Sequence, residues 1–240
     1  CGVLFERPRG GSCRIFPPQA PPQSGKRLGR YMIETLALVP WETARPYIMA
    51  TLVLSYLLGS IPFGLIFGWL SGAGDIRKIG SGNIGATNVL RTGKRWAALA
   101  TLLADAGKGY IAVRVAGDYF GIQLFPVLAG LGVVLGHMFP VWLRFKGGKG
   151  VAAFIGVLFA FRPPVAAVLT CLTWLTMAWA TRYSSVAALA AAILAPLYFL
   201  LLGTTLFALL AAVLAILIIF AHRANIARLL RGEEPKIGRA

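Results

Sequence analysis

Long apolar stretches alternate with short polar, glycine-rich islands along most of this 240-residue chain. The runs at 47–70, 96–116, 122–139, 165–180, 185–202 and 204–221 predict helices. At about 1.5 Å per residue, each covers most or all of the ~30 Å of membrane hydrocarbon. The first run is interrupted by Gly59-Ser60-Ile61-Pro62. Pro62 removes a backbone donor, so the helix is expected to kink or break, with neighbours or cavity water satisfying the freed carbonyls. The run 151–161 is short, and Arg162-Pro163-Pro164 separates it from 165–180. Length alone leaves open whether the two are a half-length and a full helix or one interrupted element. Residues 1–45 lack this pattern. Pro17-Pro18, Pro21-Pro22 and scattered arginines without an apolar period predict a disordered extension, leaving 46–240 as the membrane domain. The chain begins with Cys1, and the expected start of the working protein lies near Met32 or Met49.

Composition strengthens the membrane reading. Apolar residues make up 58% of the chain and mean hydropathy is +0.73, against about 45–50% apolar for a soluble domain. The expected fold class is all-α and polytopic. Charge narrows the partners: 24 Lys and Arg against 8 Asp and Glu give a net +16. That balance favours anionic lipid surfaces and anionic substrates, and no nucleic-acid recognition module is present. No obligate protein partner is evident. Cys1, Cys13 and Cys171 are odd in number and unpatterned, so neither a disulfide framework nor a metal site is expected, and no cofactor is implied. The cations also have a direction. With about seven spans, the loops holding Arg91, Lys146, Lys149, Arg182 and Arg228 share one side, while the opposite short loops hold only Arg162. The positive-inside rule makes that side cytoplasmic and the N-terminus external. With six spans the C-terminal island would fall opposite the lysine loop, which the charge distribution disfavours.

The islands carry the candidate chemistry. In Gly80-Ser81-Gly82-Asn83-Ile84-Gly85-Ala86-Thr87-Asn88-Val89-Leu90-Arg91, glycines permit close backbone approach. Ser81, Asn83, Thr87 and Asn88 supply neutral donors, and Arg91 a fork that fits phosphate. The loop suggests an anion cradle, with a flexible surface loop as the alternative. Its G-x-G-x-x-G spacing follows an apolar run rather than a strand, which argues against a dinucleotide fold, and no P-loop motif is present. A second island, from Gly136-His137 to Lys149-Gly150, places Lys146 and Lys149 around Gly147-Gly148, whose amides can bind an anion. As a membrane-flanking basic loop it could instead serve topology alone. The third, His222-Arg223-Ala224-Asn225-Ile226-Ala227-Arg228, puts His222, Asn225 and Arg228 on one helical face. Within the 96–116 span, Asp105 and Lys108 stand three apart and can neutralise each other, as a functional pair or as an ion pair holding helices together. Converging at one leaflet, the islands have capacity for about two phosphate groups beside a lipid-filled groove.

These residues carry a resemblance. The runs Ser81-Gly82-Asn83-x-Gly85-Ala86-Thr87-Asn88-x-x-Arg91, Gly136-His137-x-Phe139-Pro140-x5-Lys146-Gly147-Gly148-Lys149-Gly150-Val151 and His222-Arg223-x-Asn225-Ile226-x-Arg228-Leu229 resemble the signature motifs of the acyl-phosphate-dependent glycerol-3-phosphate acyltransferases, the PlsY type. Leu57-Leu58-Gly59-Ser60-Ile61-Pro62 and Asp105-x-x-Lys108-Gly109 are similar to secondary motifs of that family, and the likeness covers about residues 48–236. The resemblance implies a seven-helix enzyme of the bacterial inner membrane, with 151–180 split into two helices. It also implies transfer of an acyl group from acyl phosphate to sn-glycerol 3-phosphate, giving lysophosphatidic acid and phosphate for phospholipid biosynthesis. An acyl phosphate is a mixed anhydride with a good leaving group, so direct attack by the acceptor hydroxyl needs no covalent nucleophile. Ser81, Asn83, Arg91 and Lys149 are expected to hold the acyl-phosphate headgroup, and Lys146, His222, Asn225 and Arg228 to orient glycerol phosphate. Gly82, Thr87, Asn88, Gly147 and Gly148 complete the binding loops. The proton acceptor is His222, His137 or, as the preferred expectation, a substrate phosphate. A small-anion transporter would show paired broken helices in two halves, and a CDP-alcohol transferase clustered aspartates. Neither pattern is present in the sequence. A membrane scaffold would leave the basic glycine loops without a role.

Overall fold

The structure, a computed structural model, describes residues 41–80 and 82–238, and every regular element among them is helical. The helices are α1 (Trp41–Gly59), α2 (Phe63–Leu70), α3 (Ala86–Leu90), α4 (Arg95–Phe120), α5 (Leu124–Met138), α6 (Val151–Ala160), α7 (Val165–Thr181), α8 (Ser184–Leu201), α9 (Thr205–Ala221) and α10 (Arg223–Leu230). Short 3-10 turns occupy Ile76–Lys78 and Val141–Leu143. The expected break falls at Ser60–Pro62, and 151–180 is divided into α6 and α7. Residues 41–45, assigned from sequence to the extension, instead belong to α1; residues 1–40, 81, 239 and 240 lie outside the described residues.

Among the described residues, three segments, Trp41–Leu70, Leu124–Leu143 and Ser184–Leu201, are long and apolar enough to cross a membrane. α9 and α10, bent by 58°, make a fourth if taken as one. Large side chains such as Leu54, Trp69, Val115, Leu172, Leu201 and Ile216 are exposed around the bundle. A surface of that kind belongs against lipid, where it costs nothing.

Small residues bring the helices together. α1 packs along α5, where Gly132 sits against Ser55, and Gly136 against the backbone of Tyr56 and Ser60. α4 packs along α6 through Gly109 against Ala153 and Gly156 against Ala106. In lipid, helix association depends on such close van der Waals approach rather than on expulsion of water. Phe125, Phe154, Val133, Leu158, Leu214 and Ile218 fill the core between α4, α5, α6 and α9. A smaller cluster of Leu65, Ile76, Ile84, Val89, Ala97 and Ala98 anchors the 71–95 connection on α2 and the start of α4.

Because the long helices alternate in direction, the end of α5, the start of α6, the turn between α7 and α8, and the end of α9 fall at the same end of the bundle. The first island joins them there.

Candidate active site

A cavity of ≈ 800 Å³ opens at that end. The first island contributes Asn83, Thr87, Asn88 and Arg91, the second Lys149 and Gly150, and the third His222 and Asn225. Ser184 and Ser185 from the start of α8, and Glu234 to Gly238 from the segment after α10, close the ring. Away from this polar mouth the lining turns apolar, with Leu102 and Leu103 of α4, Ile155 and Phe159 of α6, and Cys171, Trp174 and Leu175 of α7. Leu103 and Leu175 are themselves more than half exposed, so the groove they line between α4 and α7 is open rather than enclosed. From Val151 to Phe159 it follows α6 for about 12 Å. One cavity thus joins a cationic, hydrogen-bonding mouth to a slot that suits an alkyl chain.

Local backbone chemistry sets the mouth. Gly150, at φ +82°, caps α6 in a conformation a side chain disfavours, and the first turn of α6 faces the cavity. The free amides of such a turn attract anions. Asn88 donates from Nδ2 to the Ile76 carbonyl at 2.8 Å, pinning α3 to the preceding turn. Thr87 Oγ1 lies 3.4 Å from Ser184 Oγ, which ties the first island to α8.

Glu234 organises the opposite wall. It accepts from Ser185 Oγ at 2.7 Å, Asn225 Nδ2 at 2.6 Å and Arg228 Nε at 2.8 Å. Burial alone would raise its carboxyl pKa, but those hydrogen bonds and the Arg228 charge hold it below the usual carboxylate range. Burial pulls the Lys149 ammonium down to about 8, helped by Arg228 and Arg91 and opposed by Glu234. Burial, with the Lys149 charge, takes His222 down to about 4, so its imidazole is neutral at pH 7. His222 Nδ1 donates to the Ile218 carbonyl at 2.8 Å, which leaves Nε2 as the acceptor.

Of the residues singled out from sequence, Asn83, Thr87, Asn88, Arg91, Lys149, His222 and Asn225 line this cavity. Arg228 stands behind Glu234 as its ion-pair partner at 2.8 Å. Gly148 is buried beneath the lysine loop, while Gly82 and Lys146 are exposed away from the lining; Gly147 is partly buried and is not a lining residue either. Ser81 is outside the described residues. Sequence reasoning missed the wall formed by Ser184, Ser185, Glu234 and Lys236. The only signal was that Glu233 and Glu234 are rare acids in a strongly basic chain.

Comparisons with known proteins agree with this architecture. The model of the family described as glycerol-3-phosphate acyltransferase matches residues 49–232. A glycerol-3-phosphate acyltransferase of Bradyrhizobium sp. strain BTAi1 is 54% identical over 192 residues, 80% of this chain and 96% of that protein. One from Paramagnetospirillum magneticum is 56% identical over 184 residues, 76% and 90% of the two chains. Among solved structures, PlsY (YgiH), an integral membrane glycerol 3-phosphate acyltransferase in its glycerol 3-phosphate form, superposes with a TM-score of 0.76 at 41% identity, covering 80% of this chain and 96% of that one. Its lysophosphatidic acid form gives a TM-score of 0.74. On fold, sequence and the site's construction, the chain belongs to the glycerol-3-phosphate acyltransferase family of membrane enzymes.

Proposed function

We propose that this enzyme transfers the acyl group of an acyl phosphate to sn-glycerol 3-phosphate, releasing lysophosphatidic acid and inorganic phosphate. The observation that carries the reading is the single cavity in which a cationic mouth runs into an open apolar groove. A substrate with a phosphate at one end and an alkyl chain at the other fits that shape, and the mouth keeps further donors for a second, water-soluble phosphate. The relatives' names supply the acceptor: proteins this similar are called glycerol-3-phosphate acyltransferases.

The acceptor hydroxyl oxygen attacks the acyl carbonyl carbon, the bond from that carbon to the phosphate oxygen breaks, and phosphate leaves with the electron pair. The hydroxyl proton goes to a substrate phosphate, whose second ionisation near pH ~6 suits a base working at neutral pH. Asn83, Arg91 and Lys149, with Ser81, hold the acyl-phosphate headgroup. His222 accepts a hydrogen bond through Nε2, and with Asn225 it orients glycerol phosphate against the Glu234 wall. Arg228 fixes that wall, and exposed Lys146 adds to the field that draws anions in. Acceleration comes from positioning and from charge stabilisation by the cationic mouth. About seven spans, with the N-terminus outside and the mouth at the cytoplasmic face of a bacterial inner membrane, complete the proposal.

The test is phosphate release from palmitoyl phosphate by purified enzyme. Release that requires glycerol 3-phosphate and is accompanied by lysophosphatidate is the expected result. Equal lysophosphatidate formation from an acyl-CoA donor would overturn the choice of donor.

A further inference from the structure

Three buried ionisable groups take no part in the reaction above, yet they form one connected network beside it. Asp105 and Lys108 on α4 are 2% and 3% exposed and pair at 2.8 Å. Both stand on α4, three residues apart, so the pair by itself joins that helix to nothing else. Each member of this pair reaches a different neighbouring element. Lys108 Nζ donates at 3.0 Å to the carbonyl of Ile61, within the break between α1 and α2. Asp105 Oδ1 lies 3.4 Å from Nδ1 of His137, the penultimate residue of α5.

His137 in turn carries the lysine loop. Its carbonyl accepts from the Gly148 amide at 3.0 Å, and the Met138 carbonyl accepts from Gly147 at 3.1 Å. The far edge of the imidazole packs so closely on Gly148 that a Cβ there would clash with Nε2. The ring is therefore the surface on which the Gly147–Gly148 turn rests. The next residue is Lys149, and Asp105, His137 and Lys149 all line the same cavity.

We propose that Asp105 and His137 form a positioning dyad for Lys149. The Asp105 carboxylate, 3.4 Å from Nδ1, orients the imidazole by charge rather than by a formed hydrogen bond, the imidazole sets the height of the glycine turn, and the turn presents the Lys149 ammonium to the acyl-phosphate headgroup. Lys108 neutralises Asp105 and fastens the dyad to the α1–α2 break. Errors of about an ångström in a charged contact suffice to change substrate affinity strongly. The dyad touches no reacting atom and acts only through Lys149. The kinetic part of this inference rests on the proposed role of Lys149, and its geometric part does not.

Asp105→Asn and His137→Asn test it in purified full-length enzyme. Asp105→Asn leaves Lys108 unpaired, so His137→Asn, which keeps the Asp105–Lys108 pair, covers the case in which that variant fails to fold. Two quantities are read: the Lys149 titration by NMR of ¹³C-methylated lysines, assigned with Lys149→Arg, and KM and kcat with palmitoyl phosphate. The expected result is a displaced Lys149 titration and a KM for palmitoyl phosphate raised roughly tenfold, with kcat within about threefold. Folded variants with a lower melting temperature but unaltered Lys149 titration and KM would overturn the dyad and leave a helix-joining ion pair. The titration needs no turnover, so failure of the acyl-phosphate reading, seen as wild-type enzyme inactive with palmitoyl phosphate, is recognised separately.

Discussion

Lys149 is pulled in opposite directions by folding and by binding. Burial has lowered its folded-state pKa to about 8, while an unfolded lysine titrates at 10.5. Between those values the unfolded chain holds more protons, so stability rises with pH across the window and this contribution is lost as pH falls through about 8. Phosphate affinity needs the charged form and runs the other way: kcat/KM for palmitoyl phosphate should fall as pH rises above about 8. Lys149→Met should melt a few degrees higher than wild type at pH 7, having lost a half-buried charge. The same variant should lose at least about 100-fold in kcat/KM, the scale of one or two charge-assisted hydrogen bonds. Melting curves and initial rates on one preparation check both signs. His222 gives a second prediction at this scale. An imidazole that protonates only near pH 4 and spends Nδ1–H on the Ile218 carbonyl is suited to accepting a hydrogen bond. His222→Gln should raise KM for glycerol 3-phosphate about tenfold and keep most of kcat. A collapse of kcat at unchanged KM would make the histidine the base.

At the level of helices, the glycines divide into those that touch a neighbouring backbone and those that do not. Gly156 of α6 faces the Ala106 carbonyl of α4 so closely that a Cβ cannot be accommodated without moving a helix. Gly107, one residue further along α4, meets nothing within 4 Å. Gly107→Ala should therefore be neutral or stabilising by up to about 1 kcal/mol through helix propensity. Gly156→Ala should destabilise by about 1–3 kcal/mol through overpacking and narrow the groove that α6 backs. Thermal melts in detergent separate the two. The same contrast explains what was legible in the chain. Pro62 and Arg162-Pro163-Pro164 announce breaks by local chemistry, and both breaks are present. Asp105 and Lys108 announce a pair by spacing, and they pair. That α1 reaches back at least to Trp41 was hidden, because Pro46 inside it reads as a helix breaker and the sequence around it lacks an apolar period. The partners of a helical glycine are long-range facts, and no window along the sequence contains them.

The whole molecule decides which residues form a site. The first two islands were visible one by one as anion cradles and the third as a shared helical face, but the composition of the ring depends on which helix ends meet. Ser184 and Ser185 enter because α7 and α8 turn at the same end as α5 and α6, and Glu234 enters because the segment after α10 returns over that turn. The return is held by the Ile237 amide on the Arg182 carbonyl at 2.7 Å and by Lys236 over the Tyr183 ring. The arrangement also separates charge. At the far end Arg114 is paired with Asp118 at 2.7 Å and Arg45 with Glu42 at 3.2 Å. At the cavity end Asp75, Glu233 and Glu234 pair with Arg77, Arg231 and Arg228, and Lys94, Arg95, Arg144 and Lys146 are further exposed cations. Cationic residues are retained on the cytoplasmic side during insertion, and the proposed orientation of the cavity mouth follows that rule. Single cysteines placed at Lys94, Arg144 and Tyr119, in protein whose native cysteines are replaced by alanine, test this in intact cells. An impermeant maleimide should label Tyr119→Cys from outside and reach Lys94→Cys and Arg144→Cys only after permeabilisation. Labelling of Lys94→Cys and Arg144→Cys from opposite sides would contradict the convergence of the first two islands, and with it the shared cavity on which the reaction depends.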